Sequence, residues 1–233
     1  MALAAEGEAE GAVVLADEQR AGRGRRGHTW FSPAGSGLYV SVVLTPGRSR
    51  GDAGRATRLL TLMVGVALVE AVEAATGLAA QLKWPNDLYV SQRKLAGILA
   101  EASGGRGPAP QVVVGYGINV RRSAYPPELG DRATSLESEL GRPTDRAQVF
   151  AESLACLARR YEDLLDGRFD AILDAWRARA PASAGAEIAW TAPSGPMSGV
   201  TAGVDDDGAL LVSAGGRIER IVAGEIQWVQ PFR

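Results

Sequence analysis

An α+β fold is what this sequence predicts: a mixed sheet with flanking helices, plus a small C-terminal β-barrel. Three observations lead there. Runs rich in β-branched and aromatic residues fall between residues 37 and 120. Apolar residues recur at helical spacing over 52–76, 144–161 and 168–179. After Pro181 the chain changes to short strands and tight turns, which divides it into 1–181 and 182–233.

Each element follows from its local chemistry. Residues 1–11 (MALAAEGEAEG) read as the last turns of an amphipathic helix, and AVVLADEQ (12–19) as a buried strand. GLYVSVVLTP (37–46) is a strand ending at a proline. Asp52 caps a long helix running to Thr76, with Ala56, Leu59, Leu60, Met63, Val64 and Ala67 as its apolar stripe and Gly77 as its stop. QLKWPNDLYV (81–90) is strand, turn, strand, because Pro85-Asn86-Asp87 is strong turn chemistry. KLAGILAE (94–101) and QVVVGYGINV (111–120) are further strands, separated by the loop SGGRGPAP. A loop over 121–143 leads to a helix capped by Thr144, with Val149, Phe150, Leu154, Leu157 and Tyr161 buried, and another helix covers 168–179. In the tail, EIAWTA, MSGVTAGV, ALLVS and RIERIVAGEI alternate with turns at DDDG and Gly215-Gly216. A unit of about 50 residues is small for an independent core and is expected to pack on the larger domain.

The chain has 233 residues, 46% hydrophobic and 22% charged, which is ordinary globular composition. A net charge of −2 excludes a generally basic nucleic-acid binder, so any basic function is local. The single cysteine, Cys156, excludes an internal disulfide, fits a reducing compartment, and reads as a small buried hydrophobe in a helix. The longest apolar run, 59–69, is broken by Thr61 and Gly65 and is too short to span a bilayer. Without a signal-peptide core, the chain reads as cytoplasmic.

GRGRRGHTWFSP (22–33) has the G-x-G-x-x-G spacing of a dinucleotide turn. Such a turn must open a helix, and His28-Thr29-Trp30-Phe31-Ser32-Pro33 cannot begin one. The composition says more. Arg20, Arg23, Arg25 and Arg26 crowd one segment of an acidic chain, and guanidinium groups grip phosphate or carboxylate bidentately. A solvated charged loop is the plainer alternative. Trp30 and Phe31 tilt the balance toward a wall for a flat ligand, with core packing as their other use.

Downstream, Lys83 precedes the PND turn and Lys94 opens an apolar strand, so its ammonium stands at the rim of a core element. Asp87 and Lys94 lie on the two arms of a hairpin and are expected to face one another across it. Gly97, Gly115 and Gly117 inside strands signal close approach of a backbone or ligand, and Asn119 offers an amide.

Taken in order, GRGRRGHTWFSPAGSGLYVS, KWPNDLYVSQRKLAGILAE and VVVGYGINV closely resemble the biotin protein ligases. VDDDGALLVSAGGRIERIVAGEI is similar to their small SH3-like C-terminal domain, so the resemblance covers residues 12–228. It implies a biotin/lipoate ligase-like, class II synthetase-related fold of the monofunctional type, without a DNA-binding domain. It further implies ATP and biotin as substrates with Mg²⁺, biotinyl-5′-AMP as intermediate, and a biotin carboxyl carrier domain of a carboxylase as acceptor. No nucleic acid or membrane partner is implied, and the protein would be a monomer or homodimer.

Carried over residue by residue, the resemblance makes Lys94, Arg25 and Asp87 catalytic. Gln19, Arg23, Gly24, Arg25, Trp30, Lys94, Gly97 and Gly117 would bind biotin, with Gln19 at the ureido ring. Arg23, Arg26, Lys83, Asn86 and Asn119 would bind the nucleotide, and Glu225 would tie the small domain to the large one. No metal ligand is assignable. The family's Ser/Thr-Asn-rich head-group segment and its strand would precede Met1, so the chain is expected to start late, either from a misassigned start or as a truncated copy. Restoring that segment is expected to raise biotin affinity. Two further readings stay open: a truncated binder of biotin or biotinyl-AMP with impaired ligase activity, and a lipoate or octanoyl ligase-like transferase.

Overall fold

Asp52 starts the helix around which the fold is organised. In the computed structural model, which describes residues 9–103, 110–192, 195–224 and 226–229, its carboxylate accepts the Arg55 N–H at 2.9 Å. Helix α1 (Ala53–Thr76) then runs to Gly77, whose φ of 76° closes it. Its mean hydropathy of 1.8 and its length would suffice to cross a membrane, although the apolar run 59–69 alone is too short. Within this fold it is a core helix, with 67% of that apolar window buried. Thr61 and Gly65 interrupt the sequence pattern without interrupting the helix.

One face of α1 covers an antiparallel sheet of β1 (Val13–Ala16), β2 (Gly37–Leu44), β3 (Gln81–Lys83), β4 (Asp87–Val90), β5 (Arg93–Ala102) and β6 (Val112–Asn119). Its strand order is β1-β2-β6-β5-β4-β3. A mixed sheet was expected; every described ladder is antiparallel. The physical reason is that β3 to β6 follow one another without an intervening helix, and such connections give antiparallel neighbours. AVVLADEQ is shorter and less buried than its apolar run suggests: Val13, Val14 and Leu15 are 41%, 43% and 49% exposed. The strand lies at the sheet edge and pairs with β2 alone, so apolar composition did not ensure cover.

Alternation sorts the strands onto two faces. Val112, Val114, Tyr116 and Ile118 of β6 join the helix-side core, whereas Val113, Gly115, Gly117 and Asn119 point the other way. The Tyr116 hydroxyl shares a 2.8 Å hydrogen bond with Ser153 Oγ, and burial raises its pKa to about 12. Ser153 belongs to α3 (Arg146–Leu165), which follows the short α2 (Leu136–Leu140) and precedes α4 (Phe169–Arg179). Asp145, not Thr144, caps α3: its carboxylate accepts the Ala147 N–H at 2.8 Å. Thr144 instead donates its backbone N–H to Glu137. Phe150 and Leu154 are only partly buried, while Cys156 is buried as expected.

The C-terminal strands β7 (Ala184–Ala192), β8 (Gly195–Val204), β9 (Leu210–Ala214), β10 (Arg217–Ile221) and β11 (Ile226–Trp228) form a second antiparallel sheet, ordered β10-β9-β8-β7-β11. Between its end strands no ladder is formed among the described residues. Its apolar residues Ile188, Leu210 and Val212 belong to the same core cluster as α1. The DDDG turn docks it: Arg58 reaches Asp207 at 2.8 Å, Arg55 reaches the Asp206 carbonyl at 2.8 Å, and Trp84 Nε1 donates to the Gly208 carbonyl at 2.9 Å. A sheet this small thereby borrows the larger core. Glu225, residues 1–8 of the expected N-terminal helix, and 104–109 of the SGGRGPAP loop lie outside the described residues.

Candidate functional site

The arginine loop is a hairpin that leads into no helix, which disposes of the dinucleotide reading. Backbone bonds from Gln19 N to Ser32 O (3.1 Å), Trp30 N to Gly22 O (2.9 Å) and Gly24 N to His28 O (2.7 Å) zip its arms together. Gly22 is needed where they meet, since a Cβ there would sit 2.3 Å from the Trp30 carbonyl oxygen. At the tip, Arg26 adopts φ 54°, ψ 32°, a left-handed conformation uncommon outside glycine. Gln19 Oε1 accepts a 2.7 Å hydrogen bond from buried Ser32 Oγ, which fixes its amide at the base of the loop.

The loop folds Trp30 onto the sheet. Gly97 and Gly117 pair across β5 and β6, and the indole lies over both. A Cβ on Gly117 would stand 2.4 Å from Trp30 Nε1, and one on Gly97 would stand 3.1 Å from Trp30 Cζ3. The close approach that these glycines signalled is therefore made by the chain's own tryptophan. Its Nε1 is buried without a hydrogen-bond partner. Phe31, for which core packing was one expectation, is 48% exposed at the cavity wall.

Lys94 reaches this face through an irregularity. Ala96 pairs with Leu88 and Lys94 with Tyr89, so Leu95 is an extra residue in β5. In a regular strand, residues 94 and 96 would share a face, and Ala96 is in the helix-side core. The bulge turns Lys94 to the opposite side, as bulges commonly do beside active sites. There its Nζ lies 2.7 Å from Asp87 Oδ1, an ion pair without the angle of a directed hydrogen bond, and 5.4 Å from the Trp30 ring centroid. The expected Asp87–Lys94 facing pair is thus present. Backbone bonds from Lys94 N to Arg132 O (2.8 Å) and from Thr134 N to Lys94 O (2.9 Å) strap the 121–135 segment to the same point.

The remaining polar groups brace one another. Arg25 Nη1 donates to Asn86 Oδ1 at 3.2 Å, and Asn86 Nδ2 donates to the Ile98 carbonyl at 2.8 Å. Asn119 is buried and spends its Nδ2 on the Thr134 carbonyl at 3.0 Å. Lys83 Nζ donates to Tyr89 Oη at 3.3 Å and lies 5.4 Å from the Trp228 ring, so β11 contributes to this wall. Burial and neighbouring Asp87 push the Tyr89 hydroxyl well above its ordinary pKa, keeping it neutral. Arg23 pairs with Glu101.

These groups line one cavity of about 750 Å³. Gln19, Arg23, Gly24, Arg25, Arg26, Trp30, Lys83, Asn86, Asp87, Lys94, Gly97, Gly117 and Asn119 all border it, whereas Arg20 does not. Sequence reasoning missed Glu101 and Arg132. Strand alternation from Gly97 through Leu99 would have placed Glu101 on the cavity face; Arg132 arrives from a loop with no such signal. Among the described residues no group of three acidic, histidine or cysteine side chains could hold a metal by itself. A cationic loop over a neutral, flat floor can hold an anion joined to a ring.

Comparison with known proteins points the same way. Residues 4–119 match the biotin/lipoate A/B protein ligase family, and residues 185–228 match the biotin protein ligase C-terminal domain. The chain is 38% identical to a biotin–[acetyl-CoA-carboxylase] ligase of Paracoccus denitrificans, covering 92% of this chain and 89% of that one. It is 36% identical to the bifunctional ligase/repressor BirA of Bacillus spizizenii over 94% of its own length, and spans 66% of that protein, just under two thirds. A biotin protein ligase from Aquifex aeolicus, solved with biotin and ATP, superposes with a TM-score of 0.82 at 30% identity, covering 97% of this chain and 92% of that one.

Proposed function

This chain belongs to the biotin protein ligase family, and we propose that it activates biotin with ATP and transfers the acyl group to a lysine of a carrier domain. In the first step a biotin carboxylate oxygen attacks the α-phosphorus of ATP, the bond to the β-phosphate oxygen breaks, and pyrophosphate leaves biotinyl-5′-AMP. In the second, the acceptor's neutral amine attacks the acyl carbon. AMP departs with the electron pair of the broken C–O bond, the nitrogen sheds a proton, and an amide remains.

The observation that carries this reading is the convergence of Arg23, Arg25 and Lys94 on one cavity whose floor is the Trp30 indole seated on Gly97 and Gly117. Carboxylate and triphosphate repel, and preorganised cations in a water-poor site offset that repulsion where charge develops. Arg25 and Lys94 take the catalytic roles at the reacting oxygens, and Asp87, 2.7 Å from Lys94 Nζ, orients the ammonium. Gln19 faces the ureido ring, with Arg23, Gly24 and Trp30 along the biotin. Arg26, Lys83, Asn86 and Asn119 serve the nucleotide side. Asn86 and Asn119 do so as positioning residues, since their amide nitrogens hold the Ile98 and Thr134 carbonyls.

Magnesium would arrive with ATP. Among the described residues, Asp87 and Glu101 are the carboxylates on the cavity wall. That is too few for a protein cage, and it suits an ion held mainly by phosphate and water oxygens. The acceptor is a biotin carboxyl carrier domain of a carboxylase. Incubation with MgATP, biotin and such a domain should yield a streptavidin-reactive carrier, while lipoate in place of biotin should support no pyrophosphate exchange into ATP. A chain that supports neither carrier labelling nor biotin-dependent exchange is not a ligase.

A further inference from the structure

Arg23 already carries a carboxylate. Its Nη1 donates to Glu101 Oε1 at 3.0 Å and its Nη2 to Glu101 Oε2 at 2.7 Å. This is the fork-to-fork geometry by which a guanidinium recognises any carboxylate. Glu101 stands on β5, two steps of alternation beyond Gly97, so its acid belongs to the cavity wall. The pair lies at the mouth, where the Arg23 and Glu101 side chains are 59% and 31% exposed. Ion pairs in such a setting are weak enough to exchange for another anion.

While Glu101 holds the fork, a ligand carboxylate cannot form the same bidentate contact with Arg23. From this geometry we infer that Glu101 is a specificity-determining residue, an internal carboxylate that an acidic ligand must displace from Arg23. A neutral ligand of the same shape leaves the pair intact and meets no such competition. The pair also pins the hairpin 19–32 to β5, beside the contact that Trp30 makes with Gly97. The inference rests on biotin being the ligand, and deepens that reading by naming the residue that opposes its acid group.

The test compares binding of biotin and of its neutral carboxamide by calorimetry to the wild-type chain and to Glu101→Gln, with Glu101→Ala as a second variant should the first fail to fold. Release of Arg23 should tighten biotin roughly two- to five-fold and leave the carboxamide unchanged. In an Arg23→Ala background the same change at Glu101 should have no effect on either ligand. Amide hydrogen exchange across 19–32 in the ligand-free protein should be faster in Glu101→Gln. Biotin binding that is unchanged or weaker, or equal tightening of both ligands, overturns the assignment while leaving the ligase reading intact. A wild-type chain that binds no biotin overturns both.

Discussion

Toward the helices, β4 and β5 present Leu88, Ala96 and Ile98, each at most 2% exposed. Toward the cavity the same strands present Asp87, Tyr89, Gly97 and Glu101. The first face is satisfied by packing, with every side chain supplied permanently by the fold. The second is satisfied by charge pairs and one ring contact: Asp87 holds Lys94, Glu101 holds Arg23, and the Trp30 indole lies over two glycines. A surface suited to an anion and a ring is lined by acids, cations and a ring of the chain itself. Stability and ligand recognition are separated by a single residue step along one strand.

Substitutions at adjacent positions should therefore separate stability from activity. Leu88→Ala should cost about 2–5 kcal/mol of folding stability by leaving a cavity under α1, read from denaturant midpoints. Biotin affinity of the fraction that remains folded should be retained; parallel loss of affinity would mean the two faces are not separable. Lys94→Ala should act oppositely, lowering adenylate formation by roughly 10²–10³-fold, measured by pyrophosphate exchange, with little change in melting temperature.

Gly117→Ala sharpens the contrast on the cavity side. A new Cβ would meet Trp30 Nε1 at 2.4 Å, so the indole must move. Overpacking of this kind costs about 1–3 kcal/mol, and the shift should appear as a change in tryptophan emission of the ligand-free protein. The smallest effect belongs to the helix side. Burial raises the Glu70 carboxyl pKa, but hydrogen bonds and charge from Arg160 and Arg159 more than offset this and hold it below the usual range. A lowered folded-state pKa stabilises above the unfolded value, roughly 4.3, and that contribution disappears as pH falls through the folded value. Glu70→Gln should therefore cost about 1 kcal/mol at neutral pH and flatten the acid limb of stability, checked by urea unfolding at neutral and acid pH.

Much of this architecture was legible because its causes are local. Asp52 and Gly77 bound α1 where capping and left-handed backbone chemistry put them. The turn falls at Trp84-Pro85-Asn86, with Asp87 opening β4 opposite Lys83, and the alternation of VVVGYGIN separates core valines from cavity glycines. The arginine loop and KWPND-KLAG stood out by residue type, although a solvated charged loop was the plainer alternative for the arginines until Trp30 and Phe31 tilted the balance. Thr144 was expected to cap α3, and Asp145, one residue on, holds the cap instead.

Local chemistry therefore specifies the elements and the chemical inventory of the site. The side that each reactive group takes depends on the assembled sheet. Val13, Val14 and Leu15 look like core, yet strand order leaves them at an edge. By parity Lys94 would share a face with Ala96, and only the extra residue Leu95 turns it to Asp87. Glu101 meets Arg23 across 78 positions that no local pattern connects. Helix caps and strand periods are settled within a few residues, whereas register, bulges and long-range ion pairs depend on what the completed sheet brings alongside.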